Sequence, residues 1–423
     1  LSLSLIAWFI GGAIMVVGAY CFSLMATRVE KMNGAVDYVE ISTNPKFGYA
    51  TGWYFATVYY PIITSILGFV SMDYFYKLCG WTSLGTWHFW VAVTLLIIFS
   101  FVLNTVSPKI AGYYQVSTTT IKLIPIFIIA VIGTIVGIVN GNTKEAFTSV
   151  GTLPNAKNDF GAAILSTIFA YEGWVVATSI NAELKNSKKN LPLALVLGTL
   201  IVIGTYILYY IGLSSLIPDT NDIMEQGSHA PVNAMEIFVG GVGEKLFTFL
   251  IICSCLGTLN GLTMGASRGM YSLACRGQGP KPEVFSKLHQ KYNISVSSSM
   301  LGLVLTLFFM GLWVVSFETN FKYLIIMDEL SIAFLYTSYI FVYIWIMKNG
   351  KDLKVFSRYI MPILAILGSV FLTFAATGLF SLLVLNDSSR VVNFGVFGGI
   401  AGIFIIIGLF FYHKNAKPIG EFE

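Results

Sequence analysis

A lysine interrupts the apolar stretch VSTTTIKLIPIFIIAVIG at residues 116–133. Lys122 would lie about 10 Å inside a membrane helix that rises 1.5 Å per residue. Its stem is long enough to carry the ammonium back toward the interface. Alternatively, Pro125 frees the carbonyl of Ile121, and the serine and threonines of residues 117–120 add hydroxyls. Such a group of acceptors would hold Lys122 as a fixed positive charge inside the protein.

A second unusual pair lies in the stretch GAAILSTIFAYEGWVVATSINAEL, where Glu172 and Gly173 occupy the middle. Glycine weakens a helix by about 1 kcal/mol relative to alanine, and a central acidic residue adds about 2.5–3.5 kcal/mol to the free energy of membrane insertion. Interrupted helices in transporters expose backbone carbonyls and amides to a substrate near the bilayer midplane. The pair predicts a broken helix; the alternative is an intact helix with Glu172 paired inside the bundle.

Small residues recur on one side of the run near residues 245–273. Ser254, Thr258, Gly261 and Gly265 follow at spacings of four, three and four, and Asn260 lies beside them. This spacing places small side chains on one helix face, which is typical of close helix packing or of a lined cavity.

The remaining ionisable and thiol side chains indicate no catalytic chemistry. Asp328 and Glu329 lie near the outer end of their run, where we expect them to be solvated. The five cysteines and four histidines have no spacing typical of a metal site, and no carboxylates are paired for acid–base chemistry. We therefore expect neither an enzyme nor a cofactor or metal.

Composition shows what must position these residues. The chain has 423 residues, 56% hydrophobic and only 11% charged, whereas a soluble domain has about 25% charged residues. Eleven apolar runs are long enough to cross a bilayer as helices. They lie near residues 3–26, 50–75, 89–106, 116–139, 161–180, 193–217, 245–273, 296–317, 323–347, 360–385 and 393–412. This pattern predicts an all-α, multi-pass membrane protein with no soluble catalytic domain and no affinity for nucleic acid.

The loop charges predict the orientation. If the loops alternate sides, most lysines and arginines fall on the side that includes the C-terminus, which is therefore predicted to be cytoplasmic. Eleven spans would then start outside. Because the sequence opens at Leu1 inside an apolar run, without a methionine or a basic start, we expect one further helix upstream.

Three motifs in this order resemble one transporter family. FAYEGWVVATSINAELKNSKKNLPLA at residues 169–194 is similar to the sixth helix of permeases of the amino acid–polyamine–organocation superfamily, especially the L-type amino-acid transporters. IKLIP at residues 121–125 looks like the fifth helix of that subfamily. GTLNG at residues 257–261 and SRGMYSLACRGQGPKPE at residues 267–283 resemble the eighth helix and the loop that follows it. The resemblance covers nearly the whole chain.

This resemblance implies a LeuT-type fold, with two inverted repeats of five helices and two additional helices. Residues 1–139 would then be helices two to five, residues 140–347 helices six to ten, and residues 348–423 the last two helices and the cytoplasmic C-terminus. The family's broken first helix, which holds the substrate carboxylate, would belong to the upstream segment.

The resemblance also implies site residues. Those that would line the substrate site are Phe169, which would close over it, and Ala170, Tyr171, Glu172 and Gly173. Asn260 is a further candidate for contact with the substrate. Lys122 would replace a coupling cation, with Ser254 and Thr258 as candidate neighbours.

From these features we predict a sodium-independent exchanger of small neutral L-amino acids in the cell membrane, working by alternating access. A proton-coupled symporter in which Lys122 or Glu172 carries the proton is the alternative. A non-transporting amino-acid sensor or a channel would be a different class. The surroundings of Cys79, KLCGWTSLG, do not resemble the linker of heavy-chain-associated transporters, so we expect no such subunit.

Overall fold

A computed structural model describes residues 1–29, 33–121, 123–149, 159–184, 186–416 and 419. Eleven of the described helices are long and apolar enough to cross a membrane, as the sequence predicts. We number them in chain order as span 1 (Ser2–Ala26), span 2 (Pro45–Cys79), span 3 (Trp87–Val106), span 4 (Leu123–Asn140), span 5 (Phe160–Thr178), span 6 (Ser187–Leu216), span 7 (Gly241–Cys275), span 8 (Val296–Glu318), span 9 (Met327–Asn349), span 10 (Phe356–Ala376) and span 11 (Ser389–Phe410).

Short helices lie between the spans. They are Ala35–Ser42, Pro108–Ile121, Asn142–Thr148, Thr220–Gln226, Gly227–His229, Ala230–Val239, Pro282–Phe285, Lys322–Leu324 and Leu379–Leu385. Three spans contain a wider π turn, at Phe55–Tyr59, Ile129–Gly133 and Phe356–Ile360. Such turns place backbone groups out of register and are frequent at functional sites.

Local sequence explains where several spans begin and end. Span 2 starts with Pro45, and the side chain of Asn44 accepts a 2.9 Å hydrogen bond from the amide of Phe47. Asp159 caps span 5 in the same way through the amide of Ala162 at 2.9 Å. These caps satisfy amides that the first helical turn leaves free.

The spans pack in two main groups. Span 1 lies against spans 5, 6 and 10, whereas span 7 lies against spans 2, 3 and 8. Glycines permit both sets of close contacts: a Cβ on Gly11 would approach Thr167 of span 5 to 2.5 Å, and one on Gly265 would approach Tyr60 of span 2 to 2.7 Å. We call spans 1, 5 and 6 the first group and spans 2, 3, 7 and 8 the second group.

The small-residue face predicted on span 7 is a packing face. Gly261 faces Gln115 of the helix Pro108–Ile121, and Gly265 faces Tyr60. A Cβ on Gly265 would clash with Tyr60 at 2.7 Å, and one on Gly261 would make a tight 3.3 Å contact with Gln115. The spacing seen in the sequence is therefore explained by close approach of helices.

Candidate functional site

Span 5 is broken at the pair that the sequence singled out. Its α-helix ends at Tyr171, Glu172 is extended with φ −69° and ψ 160°, and Gly173 has φ 109°. The chain then continues as the tighter helix Trp174–Glu183. Glycine adopts this left-handed backbone far more readily than any L-residue with a side chain. The predicted break is therefore confirmed.

The break leaves backbone acceptors available. Across it, the amide of Glu172 donates to the carbonyl of Phe169 at 3.1 Å, and the amide of Val176 donates to that of Gly173 at 3.1 Å. Within the described part of the chain, no donor reaches the carbonyls of Ala170 or Tyr171. Unpaired carbonyls are costly in a bilayer unless a ligand or water meets them.

Open space lies beside Gly173 at the break. Gly173 is exposed, and a Cβ built on it would meet no atom within 4 Å. Ser166, two helical turns earlier on span 5, is exposed as well, and Phe169 and Ala170 between them are half-buried. One accessible face of span 5 thus leads to the break.

The carboxylate of Glu172 is held by two tyrosines from other spans. Tyr59 of span 2 donates to Oε1 at 3.3 Å, and Tyr336 of span 9 donates to Oε2 at 3.3 Å. Trp174 in turn donates to the Tyr336 hydroxyl at 3.2 Å. No lysine or arginine of the described ranges forms an ion pair with Glu172. Hydroxyl groups, rather than a countercharge, satisfy this carboxylate.

Tyr171 faces the other way. Its hydroxyl donates to the carbonyl of Trp8 at 3.2 Å, and its ring stacks on Tyr206 with centroids 5.4 Å apart. The side chain therefore joins span 5 to spans 1 and 6. At the break, Tyr171 presents its backbone carbonyl, and the side chain serves packing within the first group.

Asn260 lies in a different polar cluster. Its side-chain amide donates to the carbonyl of Ala111 at 3.1 Å and to Gln115 at 3.0 Å, and it accepts from Asn104 at 2.9 Å. It is 2% exposed. These bonds join span 7 to span 3 and to the helix Pro108–Ile121, so the structure does not bring Asn260 into contact with the break.

The proposed surroundings of Lys122 are described only in part, because Lys122 itself lies outside the described residues. Thr258 donates to the carbonyl of Ser254 at 3.1 Å within span 7. A Cβ on the adjacent Gly257 would approach Thr118 to 2.4 Å. The helix that leads to residue 122 is therefore packed against the segment of span 7 that carries Ser254 and Thr258.

A network of charges joins spans 5, 9 and 11 at one end of the helix bundle. Arg390 of span 11 lies 3.5 Å from Asp159 at the start of span 5 and 3.7 Å from Glu329 of span 9. Ser166 donates to Glu329 at 2.5 Å, and Ser381 donates to Asp159. The side chain of Glu329 is only 13% exposed. The expectation that Glu329 is solvated was wrong, because neighbouring spans cover its carboxylate.

A second set of ion pairs lies at the opposite ends of the spans. Arg276, at the end of span 7, contacts Asp37 and donates to Glu40 at 2.8 Å, both on the helix Ala35–Ser42. Arg28 donates to Asp352 at 2.6 Å, and this hydrogen bond lowers the pKa of Asp352. These pairs tie the loops that follow spans 1 and 9 to their neighbours.

Tyr59 and Tyr336 were not foreseen from the sequence. They are two of 22 tyrosines, and both are 1% exposed within apolar spans. Nothing in their local sequence distinguishes a tyrosine that binds a carboxylate from one that fills the core. The only sequence feature that pointed to a polar partner was Glu172 itself, and the sequence around Glu172 does not reveal which spans approach it.

The chain matches known proteins along most of its length. The family described as amino acid permease matches residues 1–406. The serine/threonine exchanger SteT of Bacillus subtilis (strain 168) is 31% identical over 377 residues, which are 88% of this chain and 82% of the exchanger.

Transporters from Homo sapiens match a shorter part. The b(0,+)-type amino acid transporter 1 is 26% identical over 271 residues, which are 63% of this chain and 54% of the transporter. The cystine/glutamate transporter is 26% identical over 299 residues, covering 68% of this chain and 56% of that protein. The chain thus spans about half the length of these two relatives.

Proposed function

This chain belongs to the amino acid permease family, with its LeuT-type polytopic fold, and we propose that it is a sodium-independent exchanger of small neutral L-amino acids. The family is one of transporters, so the chain transports its substrate and is not an enzyme. The observation that carries the choice of exchange and of small substrates is the 31% identity to a serine/threonine exchanger over 88% of the chain.

The break in span 5 is the proposed substrate site. The carbonyls of Ala170 and Tyr171 lack donors in the described structure, and an α-ammonium group supplies three. Gly173 allows the substrate to approach the backbone, since no side chain intervenes. Phe169 lies on the accessible face and would close over the bound amino acid as an aromatic gate.

Lys122 is proposed to replace the coupling cation. The support is the resemblance of residues 121–125 to the fifth helix of L-type transporters and the packing of the preceding helix against span 7. A fixed ammonium cannot leave with the substrate. We infer that the empty carrier reorients slowly because the ammonium lacks partners without substrate, and this coupling makes exchange obligatory.

Alternating access would proceed by rocking of the first group against the second. The break belongs to the first group, whereas Tyr59 belongs to the second. The hydrogen bond between Tyr59 and Glu172 therefore crosses the boundary along which the groups would move. Movement of this kind is common among transporters built from inverted repeats.

Proton-coupled symport is the second candidate, and Glu172 is the observation that favours it. A carboxylate at membrane depth, held by hydroxyls and without a described cation, is the type of group that transporters use to carry protons. The two mechanisms differ in what drives uptake into vesicles that contain no substrate.

The distinguishing experiment uses full-length protein in liposomes. Uptake of radiolabelled L-serine and L-alanine is followed in sodium-free buffer into vesicles that are empty or preloaded with the unlabelled amino acid. Exchange predicts uptake only into loaded vesicles. Uptake into empty vesicles that follows an imposed pH gradient would establish symport instead, and binding without uptake would indicate a sensor.

A further inference from the structure

An apolar groove lies on the membrane-facing side of the protein, and none of the residues of the break lines it. It has a volume of about 410 Å³ and is formed where the start of span 2 meets spans 9 and 11. Tyr54 of span 2 stacks on Phe334 of span 9, with ring centroids 6.2 Å apart and planes 13° apart. Leu409 of span 11 also lines the groove.

The groove has few free polar groups inside. Thr51 donates to the carbonyl of Phe47 at 3.0 Å, and Ser338 donates to that of Leu335 at 2.6 Å. Both hydroxyls are thus satisfied within their own helices. Apart from Asn44, whose side chain caps span 2, and Lys46, the remaining walls present rings and aliphatic side chains. The groove therefore suits a hydrocarbon chain and not a zwitterionic amino acid.

The surface beside the groove is exposed and apolar. On span 11, Ile406 is 57% exposed and Phe410 is 81% exposed; Phe341 of span 9 is 41% exposed. Side chains of this type face lipid in a membrane-spanning protein. The groove therefore opens toward the acyl chains of the bilayer.

A cation lies at one end of this groove. Lys46 lines it, is exposed, and forms no ion pair with any carboxylate of the described residues. It is the second residue of span 2, at the end predicted to be cytoplasmic. A lysine at a span end places its ammonium at the depth of the lipid headgroups.

We propose that this groove binds one anionic phospholipid of the cytoplasmic leaflet, with an alkyl chain between Tyr54 and Leu409 and its phosphate at Lys46. The apolar walls select a chain, and the unpaired ammonium selects a negative headgroup. The volume has room for a single alkyl chain and not for a whole lipid, so the second chain would remain in the bilayer.

The position of the groove gives the bound lipid a mechanical consequence. Tyr59, one of the two tyrosines that hold Glu172, follows Tyr54 on span 2 by a little more than one turn. Tyr336 lies between Leu335 and Ser338 on span 9. A lipid in the groove would therefore contact both helices that position the carboxylate at the break.

The test measures lipid retention and does not depend on transport. Full-length protein is reconstituted in nanodiscs of equal phosphatidylcholine and phosphatidylglycerol, released into mild detergent, and weighed by native mass spectrometry. We expect one retained phosphatidylglycerol, and at least a fivefold loss of that species in Lys46→Gln. Lys351→Gln removes another exposed lysine at the same predicted side and should retain lipid like the wild type.

A second variant separates the headgroup from the chain. Ala50→Leu fills the groove from span 2 and should reduce retention of both lipids, whereas Lys46→Gln should abolish only the preference for phosphatidylglycerol. Gel filtration checks that each variant is folded. The proposal would be overturned if Lys46→Gln retained as much phosphatidylglycerol as the control Lys351→Gln. It would also be overturned if Ala50→Leu retained lipid like the wild type.

Discussion

Among single residues, Glu172 joins the broken span to its surroundings. It accepts hydrogen bonds from Tyr59 and Tyr336, which come from two other spans. A hydrogen bond to a charged group contributes about 1.5–3 kcal/mol, and one between neutral groups contributes about 1 kcal/mol. Removing one of these hydroxyls should therefore affect both stability and transport.

Tyr336→Phe tests this contribution, and Tyr339→Phe is its matched control. Tyr339 is equally buried one turn further along span 9, but its hydroxyl has no hydrogen-bond partner among the described residues. We expect Tyr336→Phe to lower the free energy of unfolding by about 1–2 kcal/mol. Tyr339→Phe should be neutral or slightly stabilising. Thermal unfolding in detergent measures both, and equal losses would show that Glu172 gains nothing from the Tyr336 hydroxyl.

Lys122→Ala tests the proposed substitute for a coupling cation. If the ammonium replaces sodium, the variant should lose at least tenfold in serine counterflow while remaining folded. Lys348→Ala removes an exposed lysine from the end of span 9 and serves as the control. Wild-type counterflow in Lys122→Ala would show that the lysine does not replace a cation and only anchors its helix at the membrane interface.

At the level of helices, the broken span shows which features can be predicted from the sequence and local backbone chemistry and which cannot. Glu172 and Gly173 predicted the break because both are unfavourable in the middle of an apolar helix. The direction of each side chain was not predictable, since a break removes the helical periodicity that relates neighbouring residues. Consequently Tyr171 bonds span 1 of the first group, whereas Glu172 bonds Tyr59 in span 2 of the second group.

Gly173→Ala should disturb the break through the backbone alone. Gly173 has φ 109°, and a Cβ there would touch nothing, so the penalty is conformational and about 1–2 kcal/mol. Gly198→Ala in span 6 also meets open space, but in an ordinary helix, where alanine is favoured. Unfolding and counterflow measurements should show loss only for Gly173→Ala; similar behaviour of the two variants would contradict a required left-handed turn.

Arg390→Gln tests the charge network that Arg390 forms with Asp159 and Glu329. Without the guanidinium, the shielded Glu329 loses its nearest cation, and breaking such a pair is costly. We expect a measurable fall in melting temperature, which a second change, Glu329→Gln, should partly restore because it removes the unpaired charge. An unchanged melting temperature in Arg390→Gln would show that the network does not hold spans 5, 9 and 11 together.

For the whole molecule, the eleven spans follow directly from the apolar runs because backbone groups in a bilayer must be satisfied within helices. The partners of each span do not follow, since lipid-facing and protein-facing sides of these helices are similarly apolar. Asn260 illustrates this limit: its polarity marked it as a site candidate, whereas the structure places it in a buried polar contact between spans 3 and 7. Only tertiary packing distinguishes a polar residue of a binding site from a polar residue that joins two spans.

The two packing groups frame the proposed transport cycle. Spans 1, 5 and 6 carry the break, and spans 2, 3, 7 and 8 carry Tyr59 and the segment next to the helix that leads to Lys122. A substrate bound at the break would contact the first group directly. It would contact the second group through Glu172 and the hydrogen bond that Tyr59 donates to it. Occupancy of the site would therefore control movement between the groups.

The efflux of radiolabelled L-serine from proteoliposomes tests obligatory exchange most directly. Vesicles containing full-length protein are diluted into sodium-free buffer with or without unlabelled external serine, at equal pH on both sides. If the empty carrier reorients slowly, external serine should accelerate efflux at least tenfold. Equal efflux in the two buffers would contradict exchange, because the carrier would then return across the membrane without substrate.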